Sequence, residues 1–324
     1  MLKDLPQLTF GMQEDNQMRQ KKTMLDTINA LIDFTSITNA LETLYDRDHG
    51  RPAIPPLMLF KILLLERWYD LSDVEVVDAI HDVRSFERFL GQEIRHYHVD
   101  DTTLVKFRKR LRAVNMEEHL FDVVYAQLEE RNLLVQQGTI IDSTLVEAAT
   151  RAGSRRKDGT LVDADVETVV YKNDAVREGM KVHIAIDEGS ELITAIALTS
   201  VRVHDHNVFE EMIPEKTKTV YADKAYDSEA HRDYLQRRGI RNGILKKAHY
   251  KHQLTKAQHE RNNERGKIRS AVERKINDIK RWTHLTRLRY YTKERNWLQV
   301  IFTAIAANIK RSIKLLQLQG SGVC

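Results

Sequence analysis

Glu273 stands in a stretch, KIRSAVERKINDIKRW (Lys267 to Trp282), that is mostly basic and helical in pattern. At about 100° per residue, Ile268, Val272, Ile276 and Ile279 form one apolar stripe, while Arg269, Glu273 and Lys280 fall within about 40° of one another. A carboxylate on the margin of a buried face, with cations one turn before and two turns after it, suits a divalent ion gripped beside nucleic-acid phosphates. The same residues also fit a surface helix in which Arg269 and Glu273 form a pair worth ~0.2–0.5 kcal/mol. The choice turns on two other carboxylates. Asp142 interrupts the otherwise apolar, β-rich run TIIDSTLVE, where an ionised side chain is costly unless a cation or hydrogen bonds compensate it. Asp223 ends KTVYAD just before a turn into a helix, where ligand sites of open α/β sheets collect. Three hard oxygen donors suit Mg²⁺ or Mn²⁺ rather than zinc. Two such ions ~3.5–4 Å apart can activate a water or a DNA 3′-hydroxyl and stabilise the leaving oxygen of an in-line phosphoryl displacement.

Positioning these groups requires a sheet and a covering helix. A helical period runs from Thr23 to Leu134, and Gly138 breaks it. TIIDSTLVE then reads as a strand, MKVHIAID and ELITAIALTS as a hairpin turning at Asp187-Glu188-Gly189-Ser190, and Lys218 to Asp223 as a further strand. Ser228 to Arg238 reads as a helix ending at Gly239 and IRNGIL as another strand. KKAHYKHQLTKAQHERNNERG reads as an aperiodic basic bridge, and Trp297 to Leu316 as a last apolar helix. This order is what an RNase H-like mixed sheet requires, with Asp142 and Asp223 on neighbouring strands and Glu273 approaching from the helix. The expected fold is therefore α/β. Residues 136–324 form an RNase H-like mixed sheet with flanking helices and a short basic insertion near 245–262, preceded by an all-α N-terminal domain over residues 1–135.

Inside the helical part, Pro55 and Pro56 restart the chain before LMLFKILLLERWY, and Ser72 and Glu75 have capping-box spacing for DVEVVDAI. Asp100 and Asp101 precede TTLVKFRKRLRAV, which strings Lys106, Arg108, Lys109, Arg110 and Arg112 along one helix. Short helices ending in a basic one permit a helix-turn-helix-like DNA reader. An ordinary helical domain with a solvated basic face fits as well, because Leu104, Phe107 and Leu111 would pack the helix in either case. The first 20 or so residues are polar and aperiodic, as in a mobile arm or loosely docked strap.

Charge distribution narrows the partner. Fifty-one Lys and Arg against 47 Asp and Glu give only +4 over 324 residues, yet Arg241 to Arg295 holds 17 basic and 5 acidic side chains. Such asymmetry favours a polyanion over a membrane surface. The apolar runs Leu57 to Leu65 and Val300 to Ala307 are far shorter than the ~18–20 residues that cross a bilayer. One cysteine, Cys324, makes no internal disulfide, and MLKDLPQLTF lacks the pattern of a secretory signal, so a cytoplasmic setting is expected.

Taken together, these motifs resemble the DDE transposases of bacterial insertion sequences, from the branch whose last motif is Tyr, two residues, Arg, three residues, Glu, six residues, Lys. Arg269, Glu273 and Lys280 match that spacing, and Gly266 stands at the Tyr position. IDSTLVEA around Asp142 and YADKAYDS around Asp223 resemble the first two motifs, with Ala225 where Gly is commoner. RPAIPPLMLFKILLLERWYDLSDVEV and LTRLRYYTKERNWLQVIFTAIAANIKRS resemble the family's helical and C-terminal segments, so the similarity runs from about Arg51 to Ser312. The resemblance implies Asp142, Asp223 and Glu273 as catalytic, metal-binding residues, with two Mg²⁺ ions, or Mn²⁺ in their place. Arg269 and Lys280 would hold phosphates, with Lys106 and Arg110 adding DNA contacts. It further implies binding to terminal inverted repeats and target DNA, transfer of a 3′-hydroxyl, a homo-oligomer and a bacterial, nucleoid-associated setting. A metal-dependent structure-selective nuclease and a catalytically silent DNA-binding regulator are the alternatives.

Other polar residues have structural readings beside functional ones. His183 fits a packed or hydrogen-bonded hairpin histidine as well as a catalytic one, while His204 and Asp205 fit a helix start capped by Asp205 or, by the resemblance, the lining of a site. Lys224 should diverge from Asp223 at a strand end. Trp282 suits a core position or stacking on a displaced base.

Overall fold

The computed structural model describes residues 22–46, 53–170, 176–248 and 253–320. The N-terminal arm expected from composition lies outside them.

Among the described residues seven α-helices form the first part: α1 (Met24–Leu31), α2 (Phe34–Glu42), α3 (Pro56–Tyr69), α4 (Asp73–Asp82), α5 (Arg84–Leu90), α6 (Asp101–Arg112) and α7 (Met116–Glu130). Their starts are written in the sequence. Thr23 with Asp26 and Ser72 with Glu75 close capping boxes, Pro56 opens α3, and Asp100 accepts from the Thr103 amide. α3 is buried along nearly its whole length, and Phe60, Leu64 and Trp68 pack with Leu25, Ile37, Leu104 and Leu120 in one core.

The sheet holds β1 (Gly138–Glu147), β2 (Glu167–Val170), β3 (Val176–Asp187), β4 (Ile193–Ser200), β5 (Thr219–Tyr221) and β6 (Arg241–Asn242). Its order is β4-β3-β1-β5-β6, with β2 pairing the first residues of β3. β1, β3 and β4 are antiparallel, whereas β5 runs parallel to β1 and β6 parallel to β5. A three-strand antiparallel meander followed by two parallel strands is the RNase H-like arrangement. α8 (Glu229–Arg237) makes the crossover between β5 and β6 and ends before Gly239, whose φ of 68° suits glycine.

Two helices complete the chain: α9 (Lys256–Trp282) and α10 (Lys293–Gly320). Val272, Ile276 and Ile279 of α9 and Val300 and Ala304 of α10 bury the sheet face formed by Ile140, Val182 and Ile184. On the other face, Ile141 and Ala185 pack against Phe209, Tyr226 and Leu235. Leu298, Phe302, Ile305 and Ile309 turn α10 into the helical core as well, and the Trp68 indole donates to the Ala306 carbonyl at 3.0 Å. A single helix is thus shared by both layers.

Several boundaries differ from the sequence reading. The basic bridge is shorter because α9 begins at Lys256, where Thr255 and Gln258 close a capping box. The strand expected over IRNGIL is assigned at Arg241 and Asn242, and the Gly243 and Leu245 amides carry its pairing with β5 on by donating to the Val220 and Ala222 carbonyls at 2.7 and 3.0 Å. Beyond them Arg265 of α9 donates to the Asn242 and Ile244 carbonyls at 2.9 and 2.8 Å, covering an edge that would otherwise be open. α10 extends past Trp297 to Leu316 at both ends. Among the described residues no helix is long and apolar enough to cross a membrane.

Candidate active site

Strand pairing puts the first two carboxylates on adjacent strands. The last parallel pair between β1 and β5 is Ile140 with Tyr221, and Asp142 and Asp223 each lie two residues further on. Neighbouring strands sit ~4.8 Å apart. Asp142 shares the face of Ile140 and so looks toward α9, since side chains alternate along a strand.

α9 supplies the third group. Arg269 donates from Nη1 to Asp142 Oδ2 at 2.8 Å, and its Nη2 pairs with Glu273 one turn along the helix. One guanidinium therefore joins carboxylates 131 positions apart in sequence. The Asp142 side chain is 19 % exposed and that of Glu273 51 %. Burial pushes the Asp142 carboxyl above its ordinary range. The Ser143 amide and Arg269 oppose that push, and the charges of Asp223 and Glu273 add to it. Asp223 accepts from the Lys224 amide at 2.7 Å, opening the short turn Lys224–Tyr226.

Among the described residues no three acidic, histidine or cysteine side chains close on one point in a metal-holding geometry. Arg269 instead contacts both Asp142 and Glu273. The donors themselves fit a hard divalent ion, being carboxylate oxygens of three separate elements with a cation already balancing two of them. Holding such an ion would require Arg269 to turn outward.

The remaining expected residues lie further off. Lys280 is half-buried, and burial, with Arg177 beside it, draws its ammonium below the usual lysine range while Glu147 opposes the shift. Those neighbours place it toward the far end of β1 rather than against Asp142. Lys106 and Arg110 are exposed on α6, where Arg110 lies 4.2 Å from the centre of the Tyr45 ring. Gly266 points into open space within α9, with no atom within 4 Å of where a Cβ would stand. Gly266→Ala is therefore expected to stabilise the protein by about 0.5–1 kcal/mol, read as a raised melting temperature, because it removes backbone freedom from the unfolded chain at no steric cost.

Behind Asp142, on the opposite sheet face, lies a polar cluster whose partners, Ser143 and Lys181, the sequence did not single out. Asp205 accepts from Ser143 Oγ at 3.1 Å and pairs with Lys181 at 2.8 Å, instead of capping a helix. His183 is fully buried, with Nε2 2.8 Å from Thr199 Oγ1 and Nδ1 4.0 Å from Asp205. Burial draws its imidazole down to about 4, against the pull of Asp205, so it is neutral near pH 7. The register signal existed, since Ser143 pairs with His183 and Leu145 with Lys181, but the cross-strand partner of a single Asp cannot be chosen without it. His204 is exposed. Trp282 is 46 % exposed, which excludes the core position considered from its spacing.

An RNase H-like sheet carrying one acid within its central strand β1 and another just past the end of the parallel strand β5 defines a class of enzymes that act on phosphodiesters. The sequence profile described as Transposase DDE domain matches residues 134–309, more than half of the chain, and the one described as Transposase domain (DUF772) matches residues 13–110. The chain belongs to the transposase DDE domain family, whose members cut and join DNA and generally use divalent metal ions. Solved structures with a distant likeness include a piggyBac transposase synaptic complex with hairpin DNA, at 10 % identity and a TM-score of 0.49, covering 94 % of this chain and 77 % of that one. The Mos1 strand transfer complex is another, at 11 % identity and a TM-score of 0.21, covering 95 % of this chain and 92 % of that one.

Proposed function

We propose that this transposase binds the inverted ends of its own insertion element, cuts there, and joins the freed 3′-hydroxyl to target DNA. Asp142, Asp223 and Glu273 are the catalytic and metal-binding residues in this reading, holding two Mg²⁺ ions, with Mn²⁺ able to substitute. When bound, the ions supply charge neutralisation at the attacking and leaving oxygens. Arg269 turns from the carboxylates to the DNA backbone, and Lys280 holds a phosphate beyond the far end of β1. The helical part, residues 1–135, grips the element end, with Lys106 and Arg110 of α6 facing the duplex. A homo-oligomer brings two ends together, and the setting is the bacterial cytoplasm at the nucleoid.

One observation carries the reading: Arg269 contacts both Asp142 and Glu273, which draws a β1 carboxylate and an α9 carboxylate to a common cation beside Asp223. The test incubates the full chain with duplex DNA bearing the element ends, with Mg²⁺ or with EDTA, and separates nicked from joined products. Nicks at the boundary together with joined strands in Mg²⁺ alone are expected. Hydrolysis without joining would favour a nuclease, and binding indifferent to EDTA with no cleavage would favour a silent regulator.

A further inference from the structure

The side of α9 turned away from Glu273 carries a second concentration of positive charge. At about 100° per residue, Lys275 and Trp282 lie roughly 160–180° around the helix from Glu273. With α10 they line a groove of about 260 Å³ whose other polar walls are Asp278, Lys310, Arg311 and Lys314. Arg311 is committed elsewhere, donating to the Ser190 carbonyl at 2.7 Å and pairing with Glu191 at 3.2 Å. The three lysines are not: among the described residues none has a hydrogen bond or an ion pair. Lys275 is only 4 % exposed. Burial, then the charge of Arg311, draws its ammonium down to about 8 against Glu191 and Asp278, and its side chain lines the groove. Trp282 forms one wall, with Lys310 Nζ 4.3 Å and the Arg281 guanidinium 5.1 Å from its ring centre. A half-exposed indole with two cations this close is held by their attraction to its π system.

Such a groove selects a compact anion with several acceptor oxygens, able to reach an ammonium at its base while other lysines close on its sides. We propose that it seats a backbone phosphate of DNA, with Lys275 below, Lys310 and Lys314 beside it, and Trp282 packed along the adjoining sugar. This rests on the reading of the chain as an enzyme that acts on DNA. Because α9 stands between the groove and the three carboxylates, DNA held here is a segment other than the one being cut at that moment. The charge of the wall is matched to it: Asp278 is the one acid among the lining residues.

The experiment measures binding of the full chain to duplex DNA over a salt series, for wild type, the Lys310→Ala/Lys314→Ala double variant and Lys275→Met. Removing one cation that neutralises a phosphate should lower the slope of log affinity against log salt by about 0.9. A slope smaller by about 1 to 2, with weaker binding of unrelated sequences alike, is expected for the double variant. Lys275→Met is expected to lose about 1 in slope while unfolding at the same or a higher temperature, a combination that loss of fold cannot produce. Wild-type slopes in both variants would overturn the proposal. So would a changed oligomeric state with DNA binding intact, which would make the groove a contact between copies. No DNA binding by the wild type would overturn the functional reading on which the proposal stands, and the proposal with it.

Discussion

Asp142→Asn is expected to lower Mg²⁺-dependent cleavage of end-bearing DNA by about 10³-fold or more, while DNA binding stays at the wild-type level or tightens. The loss follows from removing a charged oxygen donor that steadies developing charge in phosphoryl transfer, an effect worth several kcal/mol. Stability should move the other way. Burial raises the Asp142 carboxyl in the folded protein, outweighing the Ser143 amide and Arg269. A folded state that holds the proton more tightly than the unfolded chain loses stability as pH rises from the ordinary carboxylate value through the raised one. Asn cannot ionise and still offers Arg269 an acceptor. The variant should therefore gain stability over wild type across that window and keep the gain at neutral pH, measured as melting temperature against pH. Equal cleavage by the variant would remove Asp142 from the chemistry, and a lower melting temperature at pH 7 would show that its charge is net stabilising.

Arg108→Ala is expected to destabilise the protein by about 3–5 kcal/mol, the effect of stranding a buried charge. Arg108 lies on the basic helix α6, yet it turns inward. Its Nη2 donates to both Glu66 oxygens at 2.6 and 2.7 Å, and its Nη1 reaches Asp73 at 2.7 Å. Glu66 is 2 % exposed, and burial raises its carboxyl even with Arg108 beside it. Taking the guanidinium away leaves Glu66 and Asp73 with the more distant Arg67, 3.9 Å from Glu66, to balance them. A shift in melting temperature on the order of 10 °C follows for a protein of this size. The double change Glu66→Gln/Arg108→Met should recover much of the loss, because it removes the charge together with its partner. Arg110→Ala, two positions along, should change stability by less than about 0.5 kcal/mol, as expected for an exposed side chain. Wild-type stability in Arg108→Ala would mean that the ion pair contributes nothing net.

That contrast within α6 shows where sequence reasoning reaches its end. The period of Leu104, Phe107 and Leu111 identifies the helix and its apolar stripe, but Arg108 borders that stripe just as Arg110 borders the solvent. Glu66, 42 positions earlier, and Asp73, 35 positions earlier, distinguish them. The strands around Asp142, the hairpin and the Arg269 to Lys280 face of α9 were legible because each is a local pattern of period 2 or 3.6. The start of α9 is encoded too, since Thr255 and Gln258 have capping-box spacing, but the run of basic and polar residues after them shows no apolar period to go with the cap. The polar cluster under Asp142 was not legible, because Asp205 meets Ser143 and Lys181 only through the pairing of β1 with β3. Nor was the double role of α10, whose stripes face two cores at once.

The most direct test replaces Mg²⁺ with Fe²⁺ and maps where radicals generated at the bound ion cut the polypeptide. If three side chains from β1, the end of β5 and α9 share the ions, breaks should cluster beside residues 142, 223 and 273 and vanish together in Asp142→Asn. Breaks confined to one of these positions, or lying elsewhere on the chain, would contradict a shared centre.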